Sequence, residues 1–150
     1  MLGMGCSGPF DTDLIQRRIG KTMSMNSNLP DGLRSITPYF TVHDADGLID
    51  FLVAAFDATV IKDYRYSNNT VQHARLRIGD SILMMSESTD AYPANVSQIH
   101  LYVEDIDTAF SKATEAGASV LMEPNTRPHG DRMAGVNDPH GNVWWIASPA

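Results

Sequence analysis

Phe40-Thr41-Val42-His43-Asp44-Ala45-Asp46 reads as the end of a strand, a capping aspartate and the first turn of a helix. Leu101-Tyr102-Val103-Glu104-Asp105-Ile106-Asp107 repeats that order. The aspartates recur 61 residues apart (44 to 105, 46 to 107), and an Ala-x-Val after each helix recurs at 60 (58 to 118, 60 to 120). A duplicated strand–helix–strand unit is two copies of one supersecondary module, neither able to bury its apolar face alone. Paired modules are expected to enclose a shared cleft, so the repeat points to a working site before it says what the site does.

Outward from the first copy, Ile36 to Val42 reads as a strand with Pro38 near its start, which places it towards a sheet edge. The helix after Asp44 or Asp46 has its apolar stripe at Leu48, Ile49, Leu52, Val53 and Phe56. Ala58 to Ser67, Val71 to Ile78 and Ser81 to Ser86 read as three further strands, broken by Asn68-Asn69 and a tight Gly79-Asp80 turn. After a polar linker over Glu87 to Val96, the second copy repeats the order. A strand over Ser97 to Val103 precedes a helix with a stripe of Ile106, Ala109, Phe110, Ala113 and Ala116, closed by Gly117. Val120 to Met122 is a strand, Pro124 to Gly130 a loop and Arg132 to Asn137 a strand. Asp138-Pro139-His140-Gly141 is a turn, and Val143 to Ala147 the last strand. The fold class is therefore α+β: two tandem βαβββ modules, at about 36–86 and 97–148, making a curled mixed sheet around a cleft.

The chain has 150 residues, 43% hydrophobic and 19% charged, which suits one globular domain over 31–150. Its net charge of -7 disfavours a nucleic-acid or anionic-membrane partner. A single cysteine, Cys6, excludes an internal disulfide and a Cys-rich zinc site. No apolar run approaches the roughly 18 residues of a membrane span, and the chain reads as cytoplasmic. Residues 1–30 read as an N-terminal extension outside the functional domain. Leu14, Ile15, Arg18 and Ile19 can form one short amphipathic helix there, and Met23 and Met25 are alternative starts.

Strand alternation sorts side chains by face. Phe40 and Val42 share one face and Thr37, Tyr39 and Thr41 the other; Ile99, Leu101 and Val103 oppose Gln98, His100 and Tyr102. In the third strand Ala74, Leu76 and Ile78 oppose His73 and Arg75. The apolar sides must meet the helices. The polar and aromatic sides would line the hollow, with Met84 and Trp145 from the last strand of each module.

These residues resemble the vicinal oxygen chelate superfamily, which holds glyoxalase I, the bleomycin-resistance proteins, the fosfomycin-modifying transferases and the extradiol dioxygenases. The resemblance runs from Ile36 to Ser148. It rests on the paired modules, the Asp-x-Asp after each first strand and Asp138-Pro139-His140-Gly141-Asn142-Val143-Trp144. Thr37-Pro38-Tyr39, Arg77 to Met84 and Gly130-Asp131-Arg132 suggest the PhnB-like subgroup. The family's metal ligands, His, Glu or Gln of first and last strands, fall here on Thr37, Met84 (or Leu83, one residue away), Gln98 and Trp145. Only Gln98 is a fair oxygen ligand; indole cannot coordinate, and a thioether suits soft Cu(I).

The resemblance thus implies a homodimeric, cytoplasmic protein without the usual metal and with no cofactor. It would bind a small aromatic or polar molecule through Thr37, Tyr39, His73, Arg75, Met84, Gln98, His100, Tyr102 and Trp145. The alternative is a lyase, isomerase or dioxygenase in which His73 or His100 is a general base, or in which both help hold an unconventional divalent metal. Arg75 and Arg132 are candidates to pair with a ligand carboxylate or phosphate. A third alternative is an interaction module with an incidental cleft.

Overall fold

The structure is a computed structural model that describes residues 28–30 and 32–150. The expectations placed on Cys6, on Leu14 to Ile19 and on Met23 and Met25 lie outside the described residues. The first module runs β1 (Tyr39–Val42), α1 (Ala45–Phe56), β2 (Thr59–Arg65), β3 (Val71–Ile78) and β4 (Ser81–Glu87). The second runs β5 (Gln98–Tyr102), α2 (Ile106–Glu115), β6 (Ser119–Thr126), β7 (Arg132–Asn137) and β8 (Val143–Ser148). Each makes a four-stranded sheet, ordered β1-β4-β3-β2 and β5-β8-β7-β6, with the first strand parallel to the last and the other pairs antiparallel.

The repeated Asp-x-Asp has the same two jobs in both copies. The first aspartate caps its helix: Asp44 Oδ1 accepts from Gly47 N at 3.0 Å and Asp105 Oδ1 from Thr108 N at 3.1 Å. The Thr108 hydroxyl and amide together hold the Asp105 carboxyl below its ordinary pKa. The second aspartate ties a strand to the helix N-terminus. Arg65 of β2 donates to Asp46 at 2.7 Å, and Arg132 of β7 to Asp107 at 2.9 Å. Arg132 is therefore occupied by a neighbouring helix rather than offered to a ligand.

Helix α2 closes as expected. Gly117 adopts φ 110 and Ala118 N donates back to Ala113 O at 3.0 Å. In α1 the same place is taken by Asp57, in the left-handed region at φ 54 and ψ 36. Val53, expected in the buried stripe, is 43% exposed, while Phe51 and Ala55 are buried. Helix α1 packs against both its own sheet and α2, so its buried surface is broader than one stripe and turned away from Val53. Pro124, expected in a loop, lies inside β6. That strand is an edge, pairing only with β7, and its register shifts between Met122 and Asn125, so the missing N–H leaves no partner unserved.

The modules are joined through their helix-facing sides. Phe40 of β1 stacks on Trp144 of β8 at 5.8 Å, and Phe56 of α1 meets the same indole at 5.1 Å. Trp144 is fully buried, and Lys112 of α2 pairs with Asp57 at 2.6 Å across the junction. Phe40 and Trp144 both lie on the sides that meet the helices. The opposite sides of the two sheets are consequently directed away from the shared core.

The Asp138-to-Trp144 motif anchors this junction. Asp138, 4% exposed, accepts from His140 N, Asn142 N, Asn142 Nδ2 and Trp144 Nε1 at 2.8–3.0 Å. Buried Asn142 then accepts from Ser97 N at 2.9 Å, fixing the start of β5 to the β7–β8 turn. Its residues are spent on folding.

Candidate functional site

Strand register lays out the outward side of the first sheet row by row. Thr41, Ser86, His73 and Tyr64 form one row, Tyr39, Met84, Arg75 and Lys62 the next, and Ile82, Arg77 and Thr59 a third. The corresponding rows of the second sheet are Tyr102, Ala147, Met133 and Asn125; His100, Trp145, Gly135 and Met122; and Gln98, Val143, Asn137 and Ser119.

The structure therefore divides the nine expected site residues between two faces. Thr37, Tyr39, His73, Arg75 and Met84 belong to module one; Gln98, His100, Tyr102 and Trp145 belong to module two. Within the first set the side chains touch. Tyr39 and His73 have ring centroids 5.9 Å apart, and Tyr64 stacks on the same imidazole at 6.5 Å and 22°. Within the second, His100 and Tyr102 rings lie 4.8 Å apart, and Trp145 Nε1 donates to Gln98 Oε1 at 3.0 Å. Thr37 lines a separate small cavity of about 170 Å³ with Pro38, Leu83 and His100, bordered by none of Met84, Gln98 or Trp145.

The better-formed site is on module one. An open cavity of about 720 Å³ is lined by Tyr39, Thr41, Tyr64, Tyr66, Gln72, His73, Ser86, Glu87, Thr89 and Tyr92. That is within the size range of small-molecule pockets, about 300–1,000 Å³. Four of the chain's five tyrosines meet here. Tyr92 arrives because residues 89–92 turn back, Tyr92 N donating to Thr89 Oγ1 and Thr89 N to Tyr92 O. The other end of the face is closed by the incoming chain. A Cβ at Gly32, where φ is 80, would stand 3.0 Å from both Arg77 Nη2 and Ile82 Cδ1.

Hydrogen bonding fixes the state of His73. Arg75 Nε can only donate, so His73 Nε2, 3.4 Å away, accepts. The neutral ring then carries its proton on Nδ1 and presents it to the Tyr39 hydroxyl, also at 3.4 Å. Burial and the Arg75 charge both lower the His73 pKa, which favours this neutral form.

Tyr64, Tyr66 and Tyr92 of the cavity, and Lys62 and Arg77 beside it on the same face, are missing from the expected site. For two of them the sequence carried a signal. A hairpin centred on Asn68-Asn69 puts Tyr64 opposite His73 and Lys62 opposite Arg75, the pairs observed. Tyr92 had none, since it reaches the site through an irregular linker.

Of the four positions carried over by the resemblance as metal ligands, Thr37 and Met84 are poor donors, and Trp145 is a hydrogen-bond donor already spent on Gln98. Thr37 and Met84 belong to module one, and Gln98 and Trp145 to the sheet of module two. His73 and His100 are likewise on separate faces. Among the described residues no group of three or more His, Cys, Asp and Glu side chains is arranged to hold a metal ion.

Two further cavities lie between the modules and are related by the duplication. One, about 510 Å³, sits at the start of α2 with Val103, Asp105, Thr108 and Gly79. The other, about 930 Å³, sits at the start of α1 with Val42, Asp44, Gly47 and His140. Both aspartates are committed to helix caps.

Residues 33–146 match the Glyoxalase/Bleomycin resistance protein/Dioxygenase superfamily. The chain belongs to that superfamily. An uncharacterised Mycobacterium tuberculosis protein, Rv0887c, is 31% identical over 97% of this chain and 89% of its own length. Among solved structures, TioX from Micromonospora sp. ML1 is similar at 25% identity and a TM-score of 0.65, over 78% of this chain and 97% of TioX. The PhnB protein from Bacillus cereus shares the fold at 22% identity and a TM-score of 0.60, over 77% and 99%. The expected family, the tandem α+β modules and the PhnB-like neighbourhood all hold. No helix among the described residues is long and apolar enough to cross a membrane.

Proposed function

We propose that this superfamily member binds a small planar molecule, without a metal, on the outward face of module one. The observation that carries the reading is the Tyr39–His73–Tyr64 cluster in the floor of a 720 Å³ cavity rimmed by Tyr66 and Tyr92. Exposed rings that gather in one hollow gain from covering a flat ligand, each aromatic pairing contributing about 0.5–1.5 kcal/mol beyond area burial. With His73 neutral and donating to Tyr39, the phenol proton is free to meet an acceptor atom of the ligand.

The site is half a cleft. A second copy of the chain would complete it by laying its module-two face, with Trp145, His100 and Tyr102, over the tyrosines, giving a homodimer. The sidedness of the modules supports this, because each chain offers two different outward faces that cannot close on each other. Catalysis through His73 as a general base is the less favoured reading, since both of its ring nitrogens are engaged.

Thermal-shift screening of planar aromatic compounds tests the reading. A subset should raise Tm, and Tyr64→Ala should abolish the response; an undiminished response in that variant would defeat it. Elemental analysis of protein purified without chelator or nickel resin checks the metal, and a stoichiometric divalent ion would overturn metal independence. Sedimentation analysis should find a dimer.

A further inference from the structure

We propose that the module-one face takes an oxyanion: the planar ligand carries a carboxylate or phosphate, neutralised by Arg75 with Lys62 and Arg77. This rests on the reading of that face as a ligand site. The chain has a net charge of -7, so its cations are the scarce charges. Arg65, Lys112 and Arg132 are tied to aspartates. Lys62, Arg75 and Arg77 have no carboxylate within ion-pair distance among the described residues, and all three stand on one face of one sheet.

That arrangement works against folding. Lys62 and Arg75 are direct cross-strand partners, and like charges in such pairs are destabilising. Arg77 adds a third cation two residues further along the same face. Glu87, the acid that lines the cavity, offers no relief. Its Oε1 and Oε2 accept from Asp44 N and Ala45 N, each at 2.8 Å, at the start of α1.

The duplication shows that the scaffold does not require these cations. The corresponding places in module two hold Met122, Gly135 and Asn137. A cation set present in one copy, without a carboxylate partner among the described residues, is matched by charge brought from outside. Guanidinium presents a planar fork suited to carboxylate and phosphate oxygens. Burial and Arg75 lower the His73 pKa, so that ring adds no fourth positive charge.

Naphthoate, naphthamide and inorganic pyrophosphate, titrated by calorimetry and NMR into the intact chain and its Arg75→Gln and Lys62→Gln variants, provide the test. Naphthoate should bind about ten-fold more tightly than naphthamide. Added salt should weaken naphthoate and pyrophosphate but not naphthamide, and the preference for naphthoate over naphthamide should fall towards one in either variant. Resonances of Arg75 and Lys62 should move with naphthoate and with pyrophosphate. Pyrophosphate binding at Arg75 without either naphthyl probe would keep the oxyanion site and remove the aromatic reading. Equal binding of naphthoate and naphthamide beside Tyr64 would keep the aromatic reading and overturn the oxyanion site. No response at Arg75 to either anion would overturn it as well.

Discussion

Trp145 and Met84 occupy the same place in the two sheets, yet their surroundings have diverged. In module two the indole lies over Gly135, so close that a Cβ there would stand 2.6 Å from its ring. In module one the place beneath is Arg75, paired with Lys62. One copy of the scaffold presents a flat, uncharged platform and the other a tyrosine-rimmed hollow with three cations beside it on the same sheet face. The helix-facing sides did not diverge in this way, because both must fill one core around Trp144. Duplication thus freed the outward faces to specialise while the inward faces stayed bound to each other's shape.

The largest test of that contrast lies in the two hairpin turns. The β7–β8 turn hangs on Asp138, whose removal would orphan buried donors on Asn142 and Trp144. Asp138→Ala should cost about 3 kcal/mol or more in urea denaturation. Among the described residues the β3–β4 turn has no such network, and Asp80 accepts from its neighbour Ser81. Asp80→Ala should change stability by less than about 0.5 kcal/mol. Equal losses would mean that the inter-module junction does not depend on the Asp138 motif.

A smaller effect probes the outward faces directly. Gly135→Ala should cost about 1–3 kcal/mol, as the new methyl lifts Trp145 off the sheet and alters its fluorescence. Arg75→Ala, at the corresponding place, should change stability by less than about 0.5 kcal/mol, since it also removes repulsion with Lys62. A large loss at Arg75 would show that the cation holds the fold rather than a ligand.

These contrasts separate what the sequence disclosed from what it hid. Element order was readable because two copies reinforce one pattern of caps, periods and turns, and alternation correctly put Tyr39, His73 and Arg75 on one face. Which faces meet was not readable, because local periodicity says that Phe40 and Trp144 are buried without saying that they bury each other. The expectation that Thr37, Met84, Gln98 and Trp145 gather in one chain failed on that point. Arg132 misled for a similar reason, as its partner Asp107 is 25 residues away and joins it only in three dimensions.

The pH response should distinguish the faces more gently. The His73 pKa lies below its ordinary 6.5, chiefly through burial and then through Arg75. As pH falls below 6.5 the unfolded chain therefore takes up the His73 proton before the folded one. Stability should decline from pH 6.5 down to the lowered native value, and be unaffected by this group above 6.5. Urea titrations at pH 7.5 and 5.5 should show a smaller decline in His73→Gln than in the parent. An equal decline would place the pH sensitivity elsewhere.

The finest contrast is at the helix ends. Asp57 closes α1 at φ 54 and ψ 36, inside the small left-handed region that aspartate tolerates, whereas Gly117 closes α2 at φ 110, outside it. Glycine at 57 would relieve the steric cost of a left-handed side chain. It would also loosen the unfolded chain and remove an ion pair to Lys112 whose carboxylate is largely exposed. These terms are similar in size and oppose one another. Asp57→Gly should therefore move stability by no more than about 1 kcal/mol. A greater loss would identify the Asp57–Lys112 pair as a real tie between the modules; a clear gain would show that module one carries backbone strain its twin avoids.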